Sequence, residues 1–185
     1  MNARETLERI VSHLAERGTP MSFYDYMTQQ ERVENDLPLS LSRRKGWRLM
    51  MRGAHLEGAD FQSADLRGAR FDNCFLNRAN FIGADLMRNV DFWQSQLEKS
   101  DFTGAKLNVS QFISADVQDA KFVGADIREA WLNDAAHLDT ADLTGAIVDA
   151  YQYIQGWVNE LASRSQYVVY DPKYTLRRDR HRRAR

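Results

Sequence analysis

Large apolar side chains recur at every fifth position of this chain from residue 56 to residue 86. The sequence over residues 54–88 reads AHLEG-ADFQS-ADLRG-ARFDN-CFLNR-ANFIG-ADLMR, and a small residue, usually alanine, stands two positions before each large one. A period of five is neither the 3.6 of a helix nor the two of a strand. Residues two apart point to the same side of a strand. The pattern therefore predicts short strands that alternate with corners and stack into a solenoid.

The five-residue pattern continues to residue 148 after two shifts of register. The first shift follows one extra residue near Asn89, and the second follows an extra residue near Ala135, which makes Ala136 the small residue of the next block. The large residues are Leu56, Phe61, Leu66, Phe71, Leu76, Phe81, Leu86, Phe92, Leu97, Phe102, Leu107, Phe112, Val117, Phe122, Ile127, Leu132, Leu138, Leu143 and Val148. We expect all of them in one continuous core.

The repeated block A-[DN]-[LF]-x-x resembles the motif of the pentapeptide-repeat proteins, over residues 51–150. This resemblance implies an all-β solenoid, a right-handed quadrilateral β-helix with four blocks in each coil. The phenylalanines support an even number of sides independently, because Phe61, Phe81, Phe102 and Phe122 are spaced by 20, 21 and 20 residues. We expect nearly five coils, with phenylalanine on two opposite sides and aliphatic residues on the other two.

Residues 1–50 are predicted to form a helical N-terminal cap, because a solenoid exposes its core at each end unless it is covered. A first amphipathic helix should begin after Asn2, with Glu5 completing a capping box, and end at Gly18. A second helix should begin after Ser22 and stop before Pro38. The segment that follows should lead into the first coil. Its expected packing residues are Trp47 and Leu49.

Residues 151–185 carry a different pattern. Asp149 is a plausible N-cap for a helix that runs to about residue 162, and QYVVY at 166–170 predicts a short strand or extended arm. The end of the chain, TLRRDRHRRAR at 175–185, lacks the apolar content to fold alone.

Charge is distributed unevenly, although the chain as a whole carries a formal net charge of −1. Counting Lys, Arg, Asp and Glu gives +1 for residues 1–50, −7 for residues 51–150 and +5 for residues 151–185. An acidic rod therefore ends in a basic tail. There is no apolar run of membrane-spanning length, no signal-peptide pattern and only one cysteine, so we expect a soluble cytoplasmic protein without disulfides.

The sequence offers no catalytic, cofactor or metal site. The four histidines have no ligand spacing with acids or with Cys74, which occupies a small-residue position of the repeat and is expected in the core. The glycines stand mostly at block corners, where a positive φ is needed, rather than in a phosphate loop. The repeated aspartates belong to the motif. We therefore expect a non-catalytic binding surface.

The first hypothesis is a protein-interaction scaffold that binds a protein partner. The side with inward Phe71, Phe92, Phe112 and Leu132 carries three outward apolar residues that the repeat does not require. They are Trp93, Ile113 and Trp131. Stacking brings Trp93 and Ile113 together in adjacent coils, with Trp131 one coil further. Such a patch indicates either an interface or a docking place for the chain's own terminal segment.

The second hypothesis is DNA mimicry. Some members of the family resemble B-DNA, bind type II topoisomerases such as DNA gyrase, and protect or inhibit them. They dimerise through a C-terminal segment, so the resemblance also implies a possible homodimer through residues 151–185. A rod of about 24 Å would need roughly 14 negative charges to match DNA, whereas the net charge of residues 51–150 is about half of that.

The third hypothesis is nucleic-acid contact through the basic tail. Its arginines would neutralise phosphates without reading sequence. They are Arg177, Arg178, Arg180, Arg182, Arg183 and Arg185. A terminal basic run is more often a solvated arm, or one that docks on the chain's own acidic surface.

Overall fold

The computed structural model describes residues 1–19, 21–41, 49–132, 134–149 and 169–170. Helix α1 spans Ala3–Glu16 and helix α2 spans Phe23–Glu34, and a single 3₁₀ turn covers Leu138–Thr140. Strand β1, Ile147–Val148, pairs in parallel with strand β2, Val169–Tyr170. The rest of the repeat region is held together by isolated parallel bridges between successive coils.

From Met50 onward, each bridging residue pairs with another residue 20 or 21 positions further along the chain, so four blocks complete one coil. On one side, Asp60 pairs with Asn80, Asn80 with Asp101, and Asp101 with Lys121. The spacing changes from 20 to 21 where a pair spans Asn89, which follows the left-handed Arg88 and has a φ of 59° itself. The first extra residue is thus confirmed at Asn89.

Phenylalanine rings form two parallel stacks in the core, as the spacing predicted. Phe102 stacks on Phe81 at 4.8 Å and on Phe122 at 5.0 Å between ring centroids. Phe92 and Phe112 belong to the second stack, and each contacts Phe102 edge-on at 5.7 Å. All of these rings are fully buried. Burial on this scale is the main stabilising term of the solenoid, because apolar area removed from water contributes about 25 cal/mol per Å².

Most corners of the coil carry a left-handed residue. Glycine supplies it at positions such as Gly104, with a φ of 65°. Other residues adopt the same conformation, and Val109 does so with a φ of 64° although a β-branched side chain disfavours it.

The second shift of register lies later than the sequence predicted. Asp116 bridges Ala136, 20 residues on, so Ala136 is an outward residue and is exposed, whereas Ala135 packs against the core. The extra residue follows at His137, which has a φ of 57° and lies 2.8 Å from Asp116 Oδ1 through its Nδ1. Two adjacent alanines suited the inward position equally well, so apolar periodicity alone selected the wrong one.

Helix α1 begins and ends as predicted. Asn2 and Glu5 form the reciprocal capping box. At the other end, Gly18 N–H donates to Ala15 O and Thr19 N–H donates to Leu14 O, the bonds of a Schellman motif. Its apolar stripe is buried in the same core as the repeat region. The stripe consists of Leu7, Ile10 and Leu14.

Two polar contacts attach α1 to the first coil. The Thr6 hydroxyl accepts a hydrogen bond from Asp60 N–H at 2.9 Å, and Arg9 Nη1 donates to His55 O at 3.2 Å. Helix α2 begins after Ser22, as predicted, and its Gln29 amide exchanges two hydrogen bonds with the backbone of Ser40. These contacts fix the two helices against the first residues of the β-helix.

Several sequence predictions lie outside the described residues. They concern Trp47, the helix after Asp149 and the tail at 175–185. Leu49 is fully buried, as predicted, and β2 falls within the strand predicted at 166–170. None of the helices in the described part of the chain has the length and apolar character needed to cross a bilayer.

Candidate interaction face

One side of the β-helix presents two outward columns of side chains, and we call it the tryptophan face. The first column consists of the bridging residues Met50, Arg70, Asp91, Gln111 and Trp131. The second column stands two residues further along each strand, and backbone hydrogen bonds between adjacent coils define it. It consists of Arg52, Asp72, Trp93 and Ile113. The inward residues that follow the first column are Met51, Phe71, Phe92, Phe112 and Leu132, and all of them are fully buried.

The tryptophan face exposes more apolar surface than its repeat motif requires. Trp131 is 55% exposed and Trp93 is 38% exposed, while Ile113 is half-buried. The structure brings Trp93 and Ile113 together in adjacent coils of one column and places Trp131 in the neighbouring column. Met50, which is 40% exposed, extends the first column at the other end of the face. Sequence reasoning missed Met50 because its coil precedes the recognisable repeat.

Four charged residues share this face with the indoles. Arg52 Nε lies 3.1 Å from Asp72 Oδ2, and Arg70 Nη2 lies 3.7 Å from Asp91 Oδ2. Two further atoms of this group, Arg70 Nε and Asp72 Oδ1, are buried without a hydrogen-bond partner among the described residues. Unpaired buried polar atoms cost free energy. The hydrogen-bonding groups of this coil are therefore not all satisfied.

Aspartates on the other sides are largely compensated by basic residues of the same or the next coil. Arg67 lies between Asp65, at 2.7 Å, and Asp85, at 3.7 Å. Burial opposes ionisation of Asp126, but the hydrogen bonds from Arg128 and Asn108 outweigh it and lower its pKa. The acidic side chains therefore do not form one continuous negative surface over the part of the solenoid that the structure describes.

In the part of the chain that the structure describes, the cysteine and the histidines do not cluster into a reactive site. Cys74 is buried, its Sγ lies 2.7 Å from Met51 O, and burial raises its pKa to about 12. Burial and the neighbouring Arg17 lower the pKa of His13, a residue of α1 that lies near Arg52 and His55 of the first coil. A hydrogen bond to the Asp116 carboxylate raises the pKa of His137. Within the described ranges, no three residues of metal-ligating type are grouped to hold an ion.

A cleft lies between α1, α2 and the first coil. Its lining mixes charges of both signs with an exposed leucine, and includes Arg4, Glu34, Leu37 and Asp60. Arg4 and Glu34 approach each other at 4.0 Å. This cleft offers no arrangement of nucleophile, base and oxyanion donors.

Comparison with known proteins identifies the repeat. A family model for pentapeptide repeats matches eight copies, over residues 51–86 and 87–128. No curated protein sequence matches the chain. A solved pentapeptide repeat protein from the thylakoid lumen of Arabidopsis thaliana is 21% identical with a TM-score of 0.28, and the match covers 58% of this chain and 70% of that one. QnrB1, a plasmid-mediated fluoroquinolone resistance protein, is 20% identical in a trypsin-treated form, with a TM-score of 0.36 and 74% of each chain covered. Rfr23 of the cyanobacterium Cyanothece 51142 is 21% identical with a TM-score of 0.26, over 70% of this chain and 68% of that one.

Proposed function

Since this chain is a pentapeptide-repeat protein, with its matched repeats at residues 51–128, we propose that it is a non-catalytic interaction module whose tryptophan face binds a protein partner. The observation that carries this proposal is the exposure of Trp93 and Trp131 on one flat side of a rigid β-helix. The repeat requires an inward residue at each block centre but sets no apolar requirement on these two outward positions.

The physical setting of the two indoles suits binding. Tryptophan is enriched at interfaces and among the residues that dominate their energetics. The backbone beneath both indoles is fixed by hydrogen bonds to neighbouring coils. A partner would therefore order few groups of this protein on binding, which lowers the entropic cost of association.

Charge distribution favours this function over DNA mimicry. A mimic would need an unbroken acidic surface with about one charge per 1.7 Å of axis, whereas Arg67, Lys121 and Arg128 interrupt the acidic columns and lie beside their aspartates. Binding to a type II topoisomerase remains the alternative hypothesis. It predicts a steep loss of affinity with salt, which an apolar interface would not show to the same degree.

We further propose that the β-helix has nearly five coils, that α1 covers its N-terminal end, and that the protein works in the cytoplasm. The contacts of Thr6 and Arg9 with the first coil support the second of these statements.

The test is a pull-down from the source cell, followed by mass spectrometry and titration of the purified partner. Trp93→Ala combined with Trp131→Ala should weaken partner binding by about 30-fold or more, because central apolar anchors contribute about 2 kcal/mol or more. Ile82→Ala is the matched control, since Ile82 is 36% exposed on the opposite side of the coil. It should bind like the wild type.

Thermal melts accompany this experiment. Both variants should keep the wild-type melting temperature, because the substituted side chains are exposed. A double variant that still binds the partner at full affinity would refute the proposal. A double variant that loses stability would show instead that the indoles are packed under the chain's own terminal residues.

A further inference from the structure

The first coil leaves part of a strand edge open where it borders the cleft between α1 and α2. In later coils, the backbone carbonyls of this side accept hydrogen bonds from the preceding coil, as Asn80 O does from Phe61 N–H at 2.7 Å. The equivalent carbonyls of the first coil are Asp60 O and Gln62 O, and both residues line the cleft. None of the residues that the structure describes donates a hydrogen bond to either carbonyl. Two acceptors of this edge therefore remain open.

The hydrogen-bonding groups of this edge favour a ligand that donates hydrogen bonds without accepting any. The Asp60 N–H is already bound to the Thr6 hydroxyl at 2.9 Å. An added strand could not receive this N–H at its own carbonyl, so it would lose part of the parallel ladder. A guanidinium group has five N–H donors and no acceptor. The edge therefore suits an arginine side chain better than a further strand.

The charge of the cleft also favours a cation. The cleft has a volume of about 670 Å³, and its charged lining residues are Arg4, Glu34, Asp36 and Asp60. Arg4 lies 4.0 Å from Glu34. Among the described residues, only uncharged groups bind the Asp60 carboxylate, and no basic residue pairs with Asp36. The same ranges hold no group of three metal-ligating residues, so this charge suits an organic cation better than a metal ion.

The C-terminal end of α2 adds to the negative potential of the cleft. Asp36 N–H donates to Val33 O at 3.2 Å in the turn that ends this helix, and Asp36 has a φ of 55°. Glycine or asparagine is usual at such a left-handed position. An aspartate there adds a carboxylate beside the negative end of the helix dipole. The N-terminal end of α1 also borders the cleft, but the Glu5 carboxylate binds Asn2 N–H and offsets its positive potential.

We propose that this cleft binds an arginine side chain carried by an exposed basic segment of another protein. The guanidinium donates to the open carbonyls of Asp60 and Gln62, and the carboxylates that line the cleft neutralise its charge. Its methylene stem covers Leu37, which is 49% exposed. The site lies outside the tryptophan face, so the inference does not depend on the proposed function.

Fluorescence anisotropy with the full chain and labelled peptides tests this inference. The probe is a short acetylated peptide in which arginine and serine alternate, and the matched probes carry lysine or the neutral isostere citrulline in place of arginine. The arginine peptide should bind with a Kd on the order of 100 μM. The lysine peptide should bind about fivefold more weakly or worse, because an ammonium lacks the planar fork of donors. The citrulline peptide should show no measurable binding.

Asp36→Asn combined with Asp60→Asn removes two carboxylates of the cleft and should weaken binding of the arginine peptide by about tenfold or more. Both substitutions suit the local structure, because asparagine tolerates a left-handed backbone and Asn80 already follows Asp60 in its column. The matched control is Asp134→Asn combined with Asp142→Asn, which removes two charges at the other end of the solenoid. It should bind like the wild type, and thermal melts should show that both double variants are folded.

Three outcomes would overturn the inference. The first is equal affinity of the cleft variant and its control for the arginine peptide. The second is equal affinity of the wild type for the arginine and lysine peptides, which would show general attraction of positive charge without recognition of a guanidinium. The third concerns a full-length variant in which glutamine replaces every arginine of residues 175–185. If it binds the arginine peptide about tenfold more tightly than the wild type, the chain's own tail, and not another protein, occupies the cleft.

Discussion

Replacing Phe102 by alanine removes the ring at the middle of the core. Phe102 is fully buried and lies between Phe81 and Phe122, with ring planes within 4° of parallel on both sides. Phe92 and Phe112 of the second stack each contact it edge-on. Four aromatic contacts therefore meet at one side chain, and all of them are lost together.

The expected loss follows from these contacts. Truncation of a buried phenylalanine to alanine typically costs about 3–5 kcal/mol, through lost transfer free energy and the cavity that remains. Aromatic pairs contribute about 0.5–1.5 kcal/mol each beyond their buried area. Because coils above and below hold their bridges, the site cannot collapse to fill the cavity. We therefore expect Phe102→Ala to lower the free energy of unfolding by about 4–5 kcal/mol.

Urea unfolding followed by far-UV circular dichroism measures this change, with the slope of the transition as a check on cooperative unfolding. Phe102→Leu is the matched control, because it removes the ring stacking but keeps most of the apolar volume, and should cost about 1–1.5 kcal/mol. A loss below about 1 kcal/mol for Phe102→Ala would mean that the ring is not at the centre of the stack, and the assigned register would be wrong.

Three further predictions concern the corners, the packing of α1 and the tail. Val109→Gly should raise the free energy of unfolding by about 1 kcal/mol by relieving a left-handed valine, and Gly104→Val should lower it by a similar amount; equal melting temperatures for both variants would refute this. Burial lowers the pKa of His13 below its unfolded value of 6.5, so the unfolded state takes up the proton first and stability should fall as the pH drops below that value. His13→Gln should flatten this part of the pH profile, and an unchanged profile would exclude His13 as the cause. Deleting residues 175–185 should leave the melting temperature nearly unchanged, because the segment offers no apolar face. A large drop in melting temperature would contradict this prediction. If the full chain binds duplex DNA at low salt, the deletion should abolish that binding.

Sequence periodicity predicted the inward-facing side chains of the solenoid well. Each inward position must be filled to keep the core packed, so the positions of Phe81, Phe102 and Phe122 follow from spacing alone. The capping residues Asn2 and Ser22 could be predicted equally well, because each accepts a hydrogen bond from a backbone N–H only three residues further along the chain.

The outward-facing side chains were less predictable, because core packing does not constrain which residue types stand at these positions. The pair Ala135 and Ala136 left two registers open, and only the bridge of Ala136 to Asp116 distinguishes them. The sequence did not predict Met50 as part of the tryptophan face, because the coil that contains Leu49 and Met51 lacks the repeat motif. The orphaned atoms of Arg70 and Asp72 depend on how neighbouring side chains cover them, which spacing does not encode.

The hydrogen bond between Thr6 and Asp60 has a consequence for assembly. Each end of a β-helix presents unpaired backbone groups that could template further strands, as any open sheet edge can. Here the Thr6 hydroxyl accepts a hydrogen bond from the Asp60 N–H, and the apolar stripe of α1 is buried in the same core as the repeat region. Another molecule cannot add its own coil in register at this position. If α1 covers the N-terminal end of the solenoid, as we propose, it gives the rod a defined length there, although the repeat itself sets no limit on growth.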